Sequence, residues 1–121
     1  VEAMLRPDRS IGCVYLHCMP VDMRKQMDGL ALLAKDVIRE DPMSGALFVF
    51  VNRNRTKLKM LVWERNGFVV WYKRLERHRF HWPRSGDAVL TLTGEQLNWL
   101  LDGYDVWRMK PHEALYFPVL S

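Results

Sequence analysis

The chain has 121 residues, of which 49% are hydrophobic and five are tryptophan, and its 18 Lys and Arg outnumber 14 acids for a formal net charge of +4. This composition excludes a disordered chain, and no apolar run approaches the roughly 20 residues of a membrane helix. The length predicts one domain, at residues 1–110, and residues 111–121, which contain two prolines and no periodic pattern, are expected to form a C-terminal tail. Because the first ten residues contain no apolar segment of signal-peptide length, we expect a cytoplasmic protein whose two cysteines are reduced.

The first half of the chain predicts two strands with a helix between them. Residues 14–18 have the pattern of a short strand. Asp22 is placed to cap a helix that runs to about Glu40, because apolar residues then recur at spacings of three and four. Residues 41–45 contain the Asp, Pro, Ser and Gly that tight turns favour. Residues 46–51 are almost wholly apolar, which predicts a central strand buried on both faces.

A β-hairpin is the strongest local prediction in the second half. Residues 57–64 and 68–76 have strand patterns, and Arg65-Asn66-Gly67 separates them. Asn-Gly favours a type I′ turn, since both residues tolerate positive φ. The side chains of each strand alternate between the two faces of the sheet. The charged ends of both strands are therefore expected to lie together, away from the turn.

The remaining residues predict two short strands and a second helix. Residues 79–82 and 88–92 are the predicted strands. Thr93 and Gln96 have the spacing of a capping box, and Gly103 follows the leucine-rich helix that they introduce. The predicted fold class is α+β: an antiparallel sheet of four or five strands, with a central Asn-Gly hairpin and two helices packed on one side.

Positive charge is concentrated in residues 53–84. This stretch holds ten of the 18 Lys and Arg but only two acids, so its formal charge is +8 while the other 89 residues sum to −4. The aromatic residues interleaved with these cations are Trp63, Phe68, Trp71, Tyr72, Phe80 and Trp82. Such a block predicts polyanion binding, because cations release counterions when they neutralise phosphates and aromatic rings stack on bases. The alternative is a solvated sheet face with its aromatic residues in the core.

Folding is expected to gather these cations into one continuous positive surface beside exposed aromatic rings. The candidates for contacts with phosphates are Arg53, Arg55, Lys57, Lys59, Lys73, Arg74, Arg77, Arg79 and Arg84. Phe80 and Trp82 are the candidates for stacking on an unpaired base. Contacts with phosphates position a protein without reading the sequence, so we expect weak sequence preference and steep salt dependence.

Arg24 and Lys25 form a second cationic feature, near the start of the predicted first helix. Cations at this position oppose the helix dipole, so a compensating partner is expected. Two explanations fit the sequence. One is an ion pair with Asp22 or Asp28, and the other is a phosphate or acidic partner at the helix N-terminus.

The sequence offers no pattern for catalysis, a metal or a cofactor. The acids are spread over helix and turn positions among cations, whereas two-metal phosphoryl transfer needs gathered carboxylates. The Cys and His residues lack the paired spacing of a zinc finger, and nothing near the thiols lowers their pKa: Cys13, His17, Cys18, His78 and His81. No Gly-rich phosphate loop is present. We therefore expect a protein that is not an enzyme, without catalytic residues, cofactors or bound metal.

Three segments resemble a known family. They are VDMRKQMDGLALL at residues 21–33, DPMSGALFVFVNRNRTKLKMLVWERNGFVVWYKRLERHRFHWP at 41–83 and LTGEQLNWLLDGYDVWR at 92–108. These segments are similar to the accessory protein encoded by the second open reading frame of the insertion-sequence sixty-six family of bacterial transposable elements, often called TnpB. The resemblance covers roughly residues 15–108. Gln26 stands where the family usually has Gly.

The resemblance implies a small protein that is made beside a separate DDE-type transposase and is needed for efficient movement of the element. It implies no reaction of its own and supplies no catalytic residues. DNA and the transposase are the expected partners. Two roles are open: binding of nucleic acid through the basic and aromatic surface, or docking on the transposase without contact with DNA.

Overall fold

A computed structural model describes residues 12–84 and 86–108. Its strands are β1 (Val14–His17), β2 (Leu47–Val51), β3 (Lys57–Glu64), β4 (Gly67–Arg74) and β5 (Val89–Leu92), and its helices are α1 (Met27–Leu33) and α2 (Gly94–Leu101). A π-helical segment, Ala34–Ile38, continues α1. The strands form one sheet in the order β4-β3-β2-β1-β5. The predicted tail at residues 111–121 lies outside the described residues. Within the described ranges, neither helix has the length and apolar character needed to cross a bilayer.

The sheet is mixed, which corrects the prediction of an antiparallel sheet. β1 pairs in parallel with β2, with Val14 opposite Leu47. The other three pairings are antiparallel. Parallel neighbours need a crossover that returns the chain to the same end of the sheet, and the segment containing α1 supplies it. The helix between the first two strands therefore accounts for the parallel pair.

β2 lies at the centre of the sheet and is buried along its whole length, as the apolar sequence predicts. Leu47, Val49 and Val51 belong to a core cluster that contains the leucines of α2. Phe48 and Phe50 belong to a second cluster, on the opposite face, that contains Leu30 of α1 and residues of the π-helical segment. The prediction of both helices on one side was wrong, because a central strand that is apolar on both faces needs a cover on each.

The first helix begins later than predicted. Asp22 caps a turn before the helix, where its Oδ1 accepts a hydrogen bond from the backbone N–H of Arg24 at 2.9 Å. The helix ends at Arg39, which has a left-handed φ of 62° and donates its backbone N–H to the carbonyl of Ala34. A hydrogen bond over five residues is the π-helical pattern. The helical stretch thus ends close to the predicted residue, Glu40, but begins only at Met27, several residues after Asp22.

β3 and β4 form an antiparallel hairpin in which all eight residues of each strand are paired, ending with Glu64 opposite Gly67. The turn therefore consists of Arg65 and Asn66. Its left-handed residue is Arg65, with a φ of 54°, and neither Asn66 nor Gly67 has positive φ. The turn is not the predicted Asn-Gly type I′ turn, because the strand register places Gly67 in β4.

Residues 79–82 do not form the predicted strand. The backbone N–H of Phe80 instead donates to the carbonyl of Arg55 at 2.7 Å. The Phe80 and Trp82 side chains are 1% and 5% exposed and belong to the core cluster beneath α2. The Trp82 Nε1–H donates to the carbonyl of Cys18 at 3.0 Å. The two buried aromatic side chains and one backbone hydrogen bond attach this irregular segment to the domain.

α2 begins with the predicted capping box. The Thr93 Oγ1 accepts from the Gln96 N–H at 3.0 Å, and the Gln96 Oε1 accepts from the Thr93 N–H at 2.9 Å. Gly103 follows the helix with a φ of 98°, which glycine adopts without strain. The signals for both ends of this helix are confirmed.

Candidate nucleic-acid interface

The loop between β2 and β3 holds two of the predicted cations in place. The Asn52 Oδ1 accepts the backbone N–H groups of Thr56 and Lys57, each at 2.9 Å, so the loop folds back on its first residue. Arg55 has a φ of 61°, a conformation that few non-glycine residues adopt. Arg55 lines one concave site and Arg53 lines another. The loop therefore divides its arginines between two surfaces.

The first surface is a cleft of about 540 Å³, which we call the arginine cleft. Its cations are Arg55, Arg79, Arg84 and Arg108, and it is also lined by His81, Asp105, Phe80, Trp82 and Trp107. They come from three places: the β2–β3 loop, the segment after β4 and the turn after α2. The Trp107 Nε1–H donates to the carbonyl of His81 at 2.6 Å, which ties the last two segments together. Folding thus assembles this cleft from sequence-distant residues.

The arginine cleft is strongly positive. Among the described residues, Asp105 is its only carboxylate. The Asp105 Oδ2 lies 3.4 Å from Nε of Arg108 and 3.8 Å from Nδ1 of His81. Four arginines against one carboxylate leave a formal charge of +3 before any protonation of His81. Like charges gathered in a concave site raise the local positive potential and favour an anionic ligand.

The second surface, which we call the basic groove, has a volume of about 760 Å³. It is lined by the cations Arg24, Arg53, Lys57 and Lys59, together with Asp22 and Tyr72. The strand register puts Lys57, Lys59 and Tyr72 on the face of the sheet that α1 covers. The Arg24 NH2 group contacts Asp22 Oδ2 at 2.6 Å, which is the ion pair that the sequence offered as one of two explanations. The β2–β3 loop contributes one arginine to each surface, Arg53 to the groove and Arg55 to the cleft.

The Arg24–Asp22 pair gives a pH-dependent prediction. The hydrogen bonds from Arg24 lower the pKa of Asp22 from 3.8 to about 2. Because the folded pKa is the lower one, the pair stabilises the fold above pH 4 and loses this effect as the pH falls towards 2. An NMR titration should give an Asp22 midpoint near 2, and Arg24→Ala should raise it towards 3.8. An unchanged midpoint in that variant would contradict the assignment.

Two predicted phosphate-contacting lysines are engaged within the protein. The Lys59 Nζ donates to the carbonyls of Met23 at 2.7 Å and Lys25 at 2.8 Å, so it anchors the segment before α1 to the sheet. The Lys73 Nζ donates to the carbonyl of Leu101 at 3.1 Å, where a cation complements the C-terminal end of α2. Both side chains have structural roles that reduce their freedom to meet a ligand.

The other predicted cations have three different settings. Arg74 forms a hydrogen-bonded ion pair with Glu76 at 2.9 Å, on the exposed surface. Arg77 is exposed and lines neither the arginine cleft nor the basic groove. The remaining candidates line one of the two surfaces: Arg53, Arg55, Lys57, Arg79 and Arg84. The expected single surface is therefore replaced by two, since the loop, the segment after β4 and the turn after α2 meet in the arginine cleft while Lys57 lies on the sheet face that α1 covers.

The two predicted stacking residues are part of the core. Phe80 and Trp82 are buried, so neither presents an open ring face to a base. Their assignment as stacking residues is corrected: α2 covers the sheet face on which they pack. Trp107 is the partly exposed aromatic residue of the arginine cleft.

Sequence reasoning missed three residues of the arginine cleft: Asp105, Trp107 and Arg108. They lie beyond residues 53–84, so a search for concentrated charge does not reach them. The sequence feature that could have drawn attention to them is the resemblance to the family at residues 92–108, which contains all three. His81 was considered as a zinc ligand, whereas the structure places it beside Asp105.

The described residues, 12–84 and 86–108, contain no group of three His, Cys, Asp or Glu side chains arranged to hold a metal ion. His17 is buried, and its Nδ1 lies 2.8 Å from the carbonyl of Met19. Cys13 and Cys18 are free thiols. Burial raises the pKa of the Cys18 thiol, which favours its unreactive protonated form, whereas Cys13 is exposed.

Comparisons with known proteins agree on one family. The family model described as "IS66 Orf2 like protein" matches residues 13–111. The protein described as "Uncharacterized protein y4hO" of Sinorhizobium fredii (strain NBRC 101917 / NGR234) is 38% identical over 95 residues, covering 78% of this chain and 82% of that protein. A second protein of that organism, "Uncharacterized protein y4jC", is 31% identical over 107 residues, covering 88% of this chain and 91% of its own length. No solved structure matches the chain.

Proposed function

The chain belongs to the IS66 Orf2-like family, and from this premise we propose that it is a non-catalytic accessory protein of DNA transposition that binds nucleic acid through the arginine cleft and the basic groove. The family points to the association with transposition. The binding surface is inferred from the charges that folding brings together. DNA and the separate DDE-type transposase of the same element are the proposed partners.

The observation that carries the proposal is the convergence of Arg55, Arg79 and Arg84 in one cleft. Within the described part of the chain, none of these three side chains forms an ion pair with a carboxylate. A merely solvated sheet face would spread its cations apart or pair them with acids, because gathering like charges opposes folding. An arrangement that is unfavourable for the protein alone suits an anionic partner. Phosphate-rich DNA is the partner that a transposition protein meets.

Salt dependence tests the proposal. We expect the full chain to bind a fluorescein-labelled duplex at 50 mM salt and to lose affinity by a few hundred-fold at 200 mM, since roughly five phosphate contacts give a slope of about −4.5 in log K against log salt. Fluorescence anisotropy measures both values. Unrelated duplexes of equal length should bind within about threefold of each other, because contacts with phosphates do not read bases. Absence of binding at 50 mM salt would refute DNA binding.

Docking on the transposase is the second candidate function, and the exposed edge of the sheet favours it. β4 is an edge strand of eight residues. Val69 in this strand is 42% exposed, and an edge of this length offers backbone N–H and C=O groups to an added strand. Co-purification with the transposase, together with no DNA binding at 50 mM salt, would assign the protein to docking alone.

A further inference from the structure

The arginine cleft differs from the basic groove in the kind of cation that it contains. All four cations of the cleft are arginines, whereas two of the four in the groove are lysines. A guanidinium group is a planar fork that binds a phosphate through two parallel hydrogen bonds and also stacks on flat rings. An ammonium group is a point charge and does neither as well. The cleft is therefore suited to a ligand that combines a phosphate with an aromatic ring.

The size of the cleft restricts the ligand further. Its volume of about 540 Å³ falls within the roughly 300–1,000 Å³ typical of sites that enclose one small ligand. A paired duplex presents phosphates on a convex surface and keeps its bases stacked inside, so its bases do not reach into a cleft of this size. An unpaired nucleotide exposes its base and its phosphate together. The volume thus favours a single nucleotide over an intact duplex.

Two other residues that line the cleft restrict the ligand further: Trp107 can contact a base, and Asp105 disfavours a ligand with several phosphates. Trp107 is partly exposed in the cleft, and its indole is oriented by the 2.6 Å hydrogen bond to the carbonyl of His81. Asp105 lies in the same cleft and would repel a run of closely spaced phosphates. A ligand with one phosphate and a neutral base avoids most of that repulsion. The two features point to the same ligand class.

We infer that the arginine cleft holds one unpaired nucleotide of a DNA strand, with its phosphate on Arg55, Arg79 and Arg84 and its base beside Trp107. This inference rests on the proposed function, since it names the DNA structure that the binding surface prefers. The protein then binds DNA with a single-stranded extension more tightly than fully paired DNA.

Three labelled probes with the same paired sequence test the inference with the full chain. One is a dumbbell whose two ends are closed by non-nucleotide linkers, so that it contains no unpaired base, one carries a four-nucleotide thymidine extension, and one carries an abasic extension of the same length. We expect the thymidine extension to bind about tenfold more tightly than the dumbbell, because one base stacked on an aromatic ring adds to the affinity. The abasic probe should lie close to the dumbbell. Equal affinity for the thymidine probe and the dumbbell overturns the inference but leaves DNA binding intact.

Two charge-preserving variants refine the test. Arg84→Lys removes one guanidinium fork, so the ratio of thymidine-extension to dumbbell affinity should fall from about 10 towards 1. Lys35→Arg lies outside the cleft, on the π-helical segment, and should keep the wild-type ratio. An Arg84→Lys ratio that stays at the wild-type value, or an abasic extension that binds as tightly as thymidine, contradicts the assignment. Failure of all three probes to bind at 50 mM salt contradicts the proposed function itself.

Discussion

Replacing Arg79 and Arg84 together with glutamine is expected to weaken DNA binding about 30- to 150-fold at low salt, because each lost hydrogen-bonded contact is worth roughly 1–1.5 kcal/mol. Both side chains are exposed and line the arginine cleft, so the change removes charge from the proposed site with little loss of packing. The slope of log K against log salt should become less steep by about 2, as two phosphate contacts disappear. Anisotropy titrations at several salt concentrations give both quantities.

The matched control removes the same charge elsewhere. Lys35→Gln with Arg39→Asn also lowers the formal net charge from +4 to +2, at exposed residues that line neither surface. Asn is chosen because Arg39 is left-handed, a conformation that Asn tolerates. We expect this control to bind DNA within about threefold of wild type, since only long-range, screened charge is lost. Equal losses in the two double variants would show that net charge, and not the cleft, determines affinity.

Trp82→Ala is expected to lower the free energy of unfolding by about 3–5 kcal/mol, the usual cost of truncating a buried aromatic side chain. The indole is 5% exposed, packs in the cluster beneath α2 and donates its Nε1–H to the carbonyl of Cys18. Urea denaturation followed by circular dichroism measures the change. The midpoint should fall strongly while the dependence on urea stays the same.

Two further substitutions separate packing from surface effects. Trp82→Phe keeps a ring but leaves the Cys18 carbonyl without its donor, so we expect a smaller loss of about 1–3 kcal/mol. Trp63→Ala is a comparison at a half-buried tryptophan that packs on Phe68 near the hairpin turn, with an expected loss of roughly 1–2 kcal/mol. If Trp82→Ala kept full stability and lost DNA binding, the side chain would be a stacking residue and its place in the core would be wrong.

Local signals in the sequence predicted most of the secondary structure. The capping box at Thr93 and Gln96 depends on groups three residues apart, and it formed as expected. The apolar residues 46–51 predicted a central buried strand, because neither face of this strand has a polar side chain that would favour contact with water. The turn between β3 and β4 was less predictable. Its residues are set by the pairing of Glu64 with Gly67, which depends on the register of the whole hairpin.

The candidate site was predicted only in part. Concentrated charge in residues 53–84 pointed to Arg55, Arg79 and Arg84, which the structure places in one cleft, and their contact with phosphates stays a prediction. The same reasoning included Lys59 and Lys73, whose Nζ groups bond to backbone carbonyls more than 25 residues away in sequence. A count of charges does not distinguish a cation that binds a ligand from one that holds two elements together. That distinction requires knowing which carbonyls lie within reach.

The amino-acid sequence by itself determined the existence of both helices and of most strands, the position of the positive charge and the family to which the chain belongs. The tertiary structure alone decided which face of the sheet each helix covers, and hence that Phe80 and Trp82 are core residues while the arginines divide between two surfaces. The physical reason is that the two kinds of property depend on interactions of different sequence range. Alternation along a strand specifies which of its residues share a face, whereas burial and the convergence of charges depend on contacts between segments that are distant in the sequence.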